Sequence, residues 1–173
     1  MLTIKPLTRE FYADYIEFFE NRAFTDNAEW AGCYCMHHHR DKAINQQIDQ
    51  LEIELNSRQQ ALKTTAHQLL DKDILQGFLA FEDDRVVGFC NANDKRNYHT
   101  LNCADSEKVF AIVCITIDPR HRGKGIATAL VSQILNFART NNYTHIESHT
   151  EPRQLFINLG FSQYEDIMIY ETN

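Results

Sequence analysis

A glycine turn rich in cationic side chains follows a long apolar segment and has the composition of an anion-binding loop. The apolar run 109–117 leads into Asp118-Pro119, and residues 120–127 then read Arg-His-Arg-Gly-Lys-Gly-Ile-Ala. Where a helix begins at such a turn, its first N–H groups lack intrahelical acceptors and its dipole presents positive charge. The turn therefore predicts a phosphate-binding site.

The individual residues of this turn strengthen the prediction. Glycine at 123 and 125 removes the Cβ atoms that would keep a pyrophosphate from the main chain, while Arg120, Arg122 and Lys124 add charge. Charge-assisted hydrogen bonds contribute roughly 1.5–3 kcal/mol each, whereas the helix dipole contributes about 0.3–1 kcal/mol. Hydrogen bonds should therefore dominate the binding.

Two well-known phosphate loops do not match this segment. The P-loop spacing Gly-x-x-x-x-Gly-Lys-Ser/Thr is absent, and the dinucleotide fingerprint requires Gly or Ala at 128, where Thr128 stands. The pattern Arg/Gln-x-x-Gly-x-Gly/Ala does match, at Arg120, Gly123 and Gly125, with Asn158-Leu159-Gly160-Phe161 downstream. On these residues the chain closely resembles the GNAT superfamily of acyl-CoA-dependent N-acetyltransferases, specifically over about 107–164.

The resemblance implies acetyl-CoA as cosubstrate and no metal. It places main-chain groups of Ile115 and Ile117 along the pantetheine arm, and the amides of Arg122 through Ala127 around the pyrophosphate. The cofactor-binding residues expected from it are Ile115, Ile117, Arg120, Arg122, Gly123, Lys124, Gly125, Ile126, Ala127 and Phe156.

The same resemblance implies direct attack of an amine on the thioester, with a main-chain N–H near Ile115 stabilising the oxyanion. An unperturbed lysine-like amine has a pKa near ~10.4, so a proton acceptor should lie nearby. The usual tyrosine general acid is replaced by Phe156, which leaves the acid unidentified. Glu147, His149 and Tyr164 are the candidate catalytic residues, and a sheet-edge or surface role is the alternative for each.

The segment 30–39 combines Cys33-x-Cys35 with three consecutive histidines, His37 to His39, which have plausible zinc-ligand chemistry. No second ligand pair of suitable spacing appears in the sequence, so a metal site is the less favoured hypothesis. By position within the superfamily, this region should line the acceptor pocket. The pocket residues predicted from it are Trp30, Tyr34 and Met36.

The elements that must position these residues follow from hydrophobic periodicity. The predicted order is a strand at 2–7, a helix at 9–21, a loop at 23–40, one long or two short helices at 41–75, a hairpin at 77–91, a polar loop at 92–106, the strand 109–117, a helix from 126, a strand at 143–148, a helix at 152–159 and closing strands at 161–164 and 166–171. This order indicates an α/β (α+β) GNAT-like fold. We expect a mixed, mostly antiparallel sheet of six or seven strands, flanked by helices, with splayed central parallel strands.

Composition limits the remaining possibilities. The 173 residues suit one domain, 1–173, and the net charge of -7 argues against nucleic acid as a partner. No apolar run approaches the ~20 residues of a membrane span, and no signal peptide is evident, which indicates a cytoplasmic protein without a membrane partner. Five cysteines, an odd number, favour reduced thiols over a disulfide framework.

The sequence therefore predicts an N-acetyltransferase that moves an acetyl group from acetyl-CoA to a primary amine of a small molecule or a peptide. One alternative is a non-catalytic acyl-CoA-binding module, because Phe156 occupies the general-acid position. Another is a metal-binding or redox-sensing protein centred on Cys33 and Cys35. Monomer and homodimer stay equally open.

Overall fold

The computed structural model describes residues 1–102 and 108–172, and in them seven strands form one mixed sheet. The strands are β1 (Leu2–Pro6), β2 (Phe78–Glu82), β3 (Arg85–Asp94), β4 (Val109–Ile117), β5 (His145–Ser148), β6 (Ser162–Tyr164) and β7 (Ile167–Glu171). The helices are α1 (Tyr12–Asn21), α2 (Lys42–Leu55), α3 (Arg58–Asp71), α4 (Ile126–Thr140) and α5 (Arg153–Asn158). The strand order is β1-β2-β3-β4-β5-β7-β6, with β4 and β5 parallel and the other neighbours antiparallel. The predicted fold class is confirmed.

The two parallel strands separate halfway along β4. Their pairing runs from Val109 opposite His145 to Ile112 opposite Ser148, while β4 itself continues to Ile117. The amide of His149 still donates to the carbonyl of Ile112 at 2.9 Å, and the chain then leaves the sheet. We call this point the fork. Beyond it, no strand among the described residues pairs with β4 on its β5 side.

A bulge in β4 lies directly after Ile112, the last residue of β4 that pairs with β5. Asn91 of β3 pairs with Cys114 and Ala92 pairs with Ile112, so Val113 is an extra residue in β4. A bulge shifts the alternation of side chains by one position. As a result Ile112 and Ile115 both pack into the apolar cluster beneath α4, although they are three residues apart.

The structure decides between the two helical alternatives for 41–75 and corrects the start of one predicted loop. The helical stretch 41–75 is divided into α2 and α3 because Asn56 adopts a left-handed conformation and Ser57 caps the second helix. The predicted polar loop at 92–106 begins too early, because Ala92 to Asp94 belong to β3 and pair with Ile112 to Phe110. Cross-strand burial outweighs the polarity of these residues; positions 103–107 lie outside the described residues.

The prediction of reduced thiols is wrong for one pair of cysteines. Cys35 and Cys114 are joined by a disulfide, with a Cα–Cα distance of 6.4 Å, although 79 positions separate them in the sequence. The loop between α1 and α2 folds over β4 and brings the sulfurs together, which no spacing rule could reveal. Cys33 and Cys90 are free, and Cys103 lies outside the described residues.

Within the described part of the chain, no helix is long and apolar enough to cross a membrane.

A buried hydrogen-bond network fixes the same loop to the sheet. Asn91 on β3 donates to the carbonyl of Cys35 at 2.6 Å and accepts from the hydroxyl of Tyr98 at 2.7 Å. His39 is fully buried; its Nε2 lies 3.1 Å from the Asn91 amide nitrogen and its Nδ1 lies 3.3 Å from the Asn97 carbonyl. Only a neutral ring can donate at Nδ1 and accept at Nε2. Burial lowers the pKa of His39 to about 4.

This network predicts a pH dependence of stability. Between the unfolded-state pKa near ~6.5 and the folded-state value of about 4, the unfolded chain takes up a proton at His39 that the folded chain does not. The free energy of unfolding should therefore fall as the pH drops through this window, by roughly 3 kcal/mol in total. Urea denaturation at several pH values measures this directly. His39→Gln should flatten the slope in that window, whereas His67→Gln, at an exposed position on α3, should keep it.

Candidate active site

A cleft of about 290 Å³ opens at the fork, where β4 extends past the end of β5. Its walls come from β4, from the start of α4, from the loop after α1 and from the segment between β5 and α5. The lining includes Trp30, Ile115, Ile117, Arg122, Ala127 and Pro152. The structure thus brings five of the predicted site residues together around one opening.

The glycine turn between β4 and α4 leaves its main chain open. Gly123 and Gly125 have φ values of +75° and +78°, and a Cβ built on either would meet no atom within 4 Å. The first N–H groups of any helix have no intrahelical acceptor. Gly125, the N-cap of α4, has no side chain that could accept from them. Such a turn can hold an anion by main-chain donors alone.

The cations of this turn have different partners. The guanidinium of Arg122 forms a two-contact ion pair with Asp26 of the loop after α1, one contact being 3.3 Å from Nη2 to Oδ1. Arg120 bonds the buried Asp118 at 2.9 Å and lines a different pocket, together with Arg22 and Arg85. Arg120 is therefore turned away from the cleft. Lys124 is exposed on the turn.

Burial raises the pKa of Asp118, but the hydrogen bonds from Arg120 outweigh it and leave the pKa below its ordinary value. Asp118 consequently stays ionised and fixes the residues after β4. The Asp118 carboxylate also accepts a hydrogen bond from the main-chain N–H of Arg120 at 3.0 Å. This bond holds the chain in a tight turn just before Gly123. Arg120 thus stabilises the turn and does not reach into the cleft.

Glu147 and His149 lie together where β5 ends. Glu147 is 5% exposed and accepts from Lys95 Nζ at 2.9 Å and from His149 Nε2 at 2.8 Å. Burial alone would raise the pKa of Glu147, but the hydrogen bonds from His149 and Lys95 lower it to about 2. A carboxylate held in this way cannot accept a proton at neutral pH. It can orient His149, and the tautomer with hydrogen on Nε2 has Nδ1 as its acceptor nitrogen.

Two further residues near the end of β5, Lys95 and Thr100, were not identified as site residues from the sequence. Lys95 falls within the predicted polar loop. It reaches Glu147 because β3 pairs with β4 and β4 in turn pairs with β5. His38, one of the three consecutive histidines with zinc-ligand chemistry, has its Nδ1 2.6 Å from the Thr100 hydroxyl. Burial, with smaller contributions from His37 and His149, lowers the pKa of His38. His38 and His149 are therefore close enough to interact electrostatically.

Several predicted site residues are not at the cleft. Tyr164 is 61% exposed on the edge strand β6, which β7 separates from β5. Tyr34 and Met36 are buried in the core cluster against α1, because positive φ values at Tyr34 and Cys35 turn this loop inward. Of the three predicted pocket residues, only Trp30 borders the cleft.

Phe156, at the position of the usual tyrosine, is fully buried on α5. Its ring lies 5.2 Å from that of Phe161, in the apolar cluster that also contains Ile112 and Ile146. This side chain has no group that can donate a proton. Among residues 1–102 and 108–172, no group of three or more His, Cys, Asp or Glu side chains is arranged to hold a metal ion.

Comparison with known proteins identifies the family. The sequence model of the acetyltransferase (GNAT) family matches residues 7–161. The chain is 26% identical over 108 residues to an aminoglycoside N(6')-acetyltransferase type 1 of Salmonella typhimurium strain LT2, covering 60% of this chain and 73% of that protein.

Solved structures share the fold. The aminoglycoside N-acetyltransferase AAC(6')-Iy in complex with CoA superimposes with a TM-score of 0.59 at 18% identity, covering 94% of this chain and 89% of that one. A GNAT family acetyltransferase from Brucella melitensis in complex with acetyl-CoA gives a TM-score of 0.59 at 14% identity, covering 100% and 89%.

Proposed function

Because the chain belongs to the GNAT family of acetyltransferases, we propose that it transfers an acetyl group from acetyl-CoA to a primary amine of a small molecule or a peptide. The observation that carries this proposal is the fork between β4 and β5, which opens beside an uncapped helix start. Relatives named as aminoglycoside acetyltransferases, and solved relatives with bound CoA or acetyl-CoA, support it.

The residues at the fork fit acetyl-CoA. The open main chain at Gly123 and Gly125 has room for a pyrophosphate, and the first N–H groups of α4 would donate to it. Beyond the fork, the edge of β4 at Ile115 and Ile117 has no β5 partner, so its main-chain groups are available to the amides of a pantetheine arm. When bound, acetyl-CoA supplies an activated acyl carbon and a thiolate leaving group.

In this proposal, different residues bind the pyrophosphate, accept the proton of the amine and stabilise the oxyanion. Arg122 leaves Asp26 and pairs with the pyrophosphate, which carries more charge than one carboxylate. His149 takes the proton of the acceptor ammonium at Nδ1, and Glu147 is the positioning residue that fixes its tautomer through Nε2. A main-chain N–H of β4 near Ile115 donates to the acetyl oxygen as negative charge develops there. No covalent intermediate with the protein is needed.

A second candidate function is a non-catalytic acyl-CoA-binding module. It is favoured by Phe156, which removes the phenol that many family members use as general acid. A CoA thiol has a pKa near that of free cysteine, ~8.5, so its thiolate can leave without a strong acid. We therefore retain the enzymatic function as the leading proposal.

The experiment that separates these functions is amine-dependent release of free CoA thiol from acetyl-CoA. The amine panel should include an aminoglycoside, a diamine and a lysine-containing peptide. For the best acceptor, His149→Ala should lower kcat roughly 10²- to 10⁴-fold, the range expected for loss of a general base. His67→Ala, on exposed α3, should leave kcat unchanged. Tight acetyl-CoA binding without thiol release for any amine would instead support the binding module.

The glycine turn yields a second prediction, on CoA affinity. Gly125→Ala places a Cβ in the open space of the turn, so CoA binding measured by calorimetry should weaken by at least about tenfold. Left-handed backbone at a non-glycine residue also costs about 1–2 kcal/mol of stability. Gly160→Ala is the matched control, because its φ is +91° and it lies outside the cleft. Both variants should lose similar stability; equal CoA affinity in Gly125→Ala and the parent would contradict the assignment.

A further inference from the structure

We propose that the hydroxyl of Ser148 donates a hydrogen bond to the CoA sulfur as the thiolate leaves. It would thus supply the stabilisation that Phe156 cannot give. This inference rests on the proposed acetyltransferase function and assigns a further catalytic residue to it. Ser148 is the last residue of β5 and the last to pair with β4 before the fork.

The direction of the Ser148 side chain follows from the sheet register. Ser148 is paired with Ile112 on β4 and with Met168 on β7, and paired residues project to the same face of a sheet. Ile112 and Met168 both belong to the apolar cluster beneath α4 and α5. Ile146, two positions earlier on β5, belongs to it as well, as alternation requires. Ser148 therefore points to the face that holds α5 and Phe156.

The hydroxyl of Ser148 is unpaired among the residues that the structure describes. The residue is 1% exposed, and its Oγ is buried without a hydrogen bond to any described residue. Buried hydroxyls are nearly always bonded, so an orphan of this kind requires an explanation. Glu147 and His149, on either side in the sequence, project to the opposite face and bond each other. The side chains at 147–149 thus divide between the two faces of the fork.

This division matches two events of the reaction, deprotonation of the amine and departure of the thiolate. The amine nitrogen bonds to the acyl carbon while the carbon–sulfur bond breaks, and that electron pair goes to sulfur. On one face, His149 passes the ammonium proton to solvent before the attack and then takes the second proton, which the nitrogen loses as the amide forms. Ser148, on the other face, donates a hydrogen bond to the sulfur and keeps its own proton, and solvent protonates the thiolate after release. Such a bond is charge-assisted and strengthens as the thiolate forms.

The first test needs no acceptor and no turnover. The thiolate of bound CoA is titrated by ultraviolet absorbance in the parent, in Ser148→Ala and in Thr65→Ala. Thr65 is a matched control because its buried hydroxyl bonds within α3, away from the fork. The pKa of the bound thiol should be about 1–2 pH units higher in Ser148→Ala than in the parent and in the control.

The second test separates a catalytic role from a structural one. With the best acceptor, Ser148→Ala should lower kcat roughly 10- to 100-fold while the KM for acetyl-CoA stays unchanged. Without ligand, the same variant should have a Tm at least about 2 °C above that of the parent, since an unsatisfied buried hydroxyl is removed.

The outcomes are distinguishable. A bound-thiol pKa and a kcat equal to those of the parent would overturn the inference, and so would a lower Tm, which would indicate that the hydroxyl stabilises the free protein. Either result would leave the acetyltransferase function intact as long as CoA binds and amines are acetylated. Failure of the parent to bind CoA would refute the proposed function itself.

Discussion

The parting of two parallel strands is the constraint on which the rest of this molecule depends. Strands β4 and β5 pair for four residues and then separate, because β4 continues while the chain after Ser148 leaves the sheet. This separation exposes main-chain donors and acceptors that would be hydrogen-bonded to a neighbouring strand in a continuous sheet. The bulge at Val113 then directs Ile115 and Ile117 to the α4 face. These features create a groove. One side of the groove is the edge of β4 that does not pair with β5, and the start of α4 lies at its end.

Long-range contacts keep both sides of the fork in place. The loop between α1 and α2 is fixed to β3 and β4 by the Cys35–Cys114 disulfide and by the network of Asn91. On the other side, Glu147 is held between Lys95 and His149. Removing one partner of a buried ion pair typically costs 3–5 kcal/mol, so Glu147 is a strong restraint on the position of His149. His149, the proposed base, is thus held in position by Glu147 in the free protein.

Local patterns predicted much of the fold, including the glycine turn between β4 and α4. The strand 109–117, the glycine turn and the amphipathic helix after it are each encoded in a few consecutive residues, and the structure places them as expected. The predictions that the structure does not match concern residues whose positions depend on contacts between distant segments. The inward turn of Tyr34, the partnership of Cys35 with Cys114 and the edge position of Tyr164 are set by register and loop path. Lys95 and the orphan hydroxyl of Ser148 could be found only once β4 and β5 were paired.

The central claim is that the main chain of the glycine turn binds the pyrophosphate of CoA. Amide chemical shifts of ¹⁵N-labelled protein, followed during a titration with CoA, test it most directly. The account predicts that the amides of Gly123, Gly125 and Ile126 show the largest changes and saturate at one equivalent of ligand. Saturable binding that leaves these three amides unshifted, with the changes elsewhere in the chain, would contradict it.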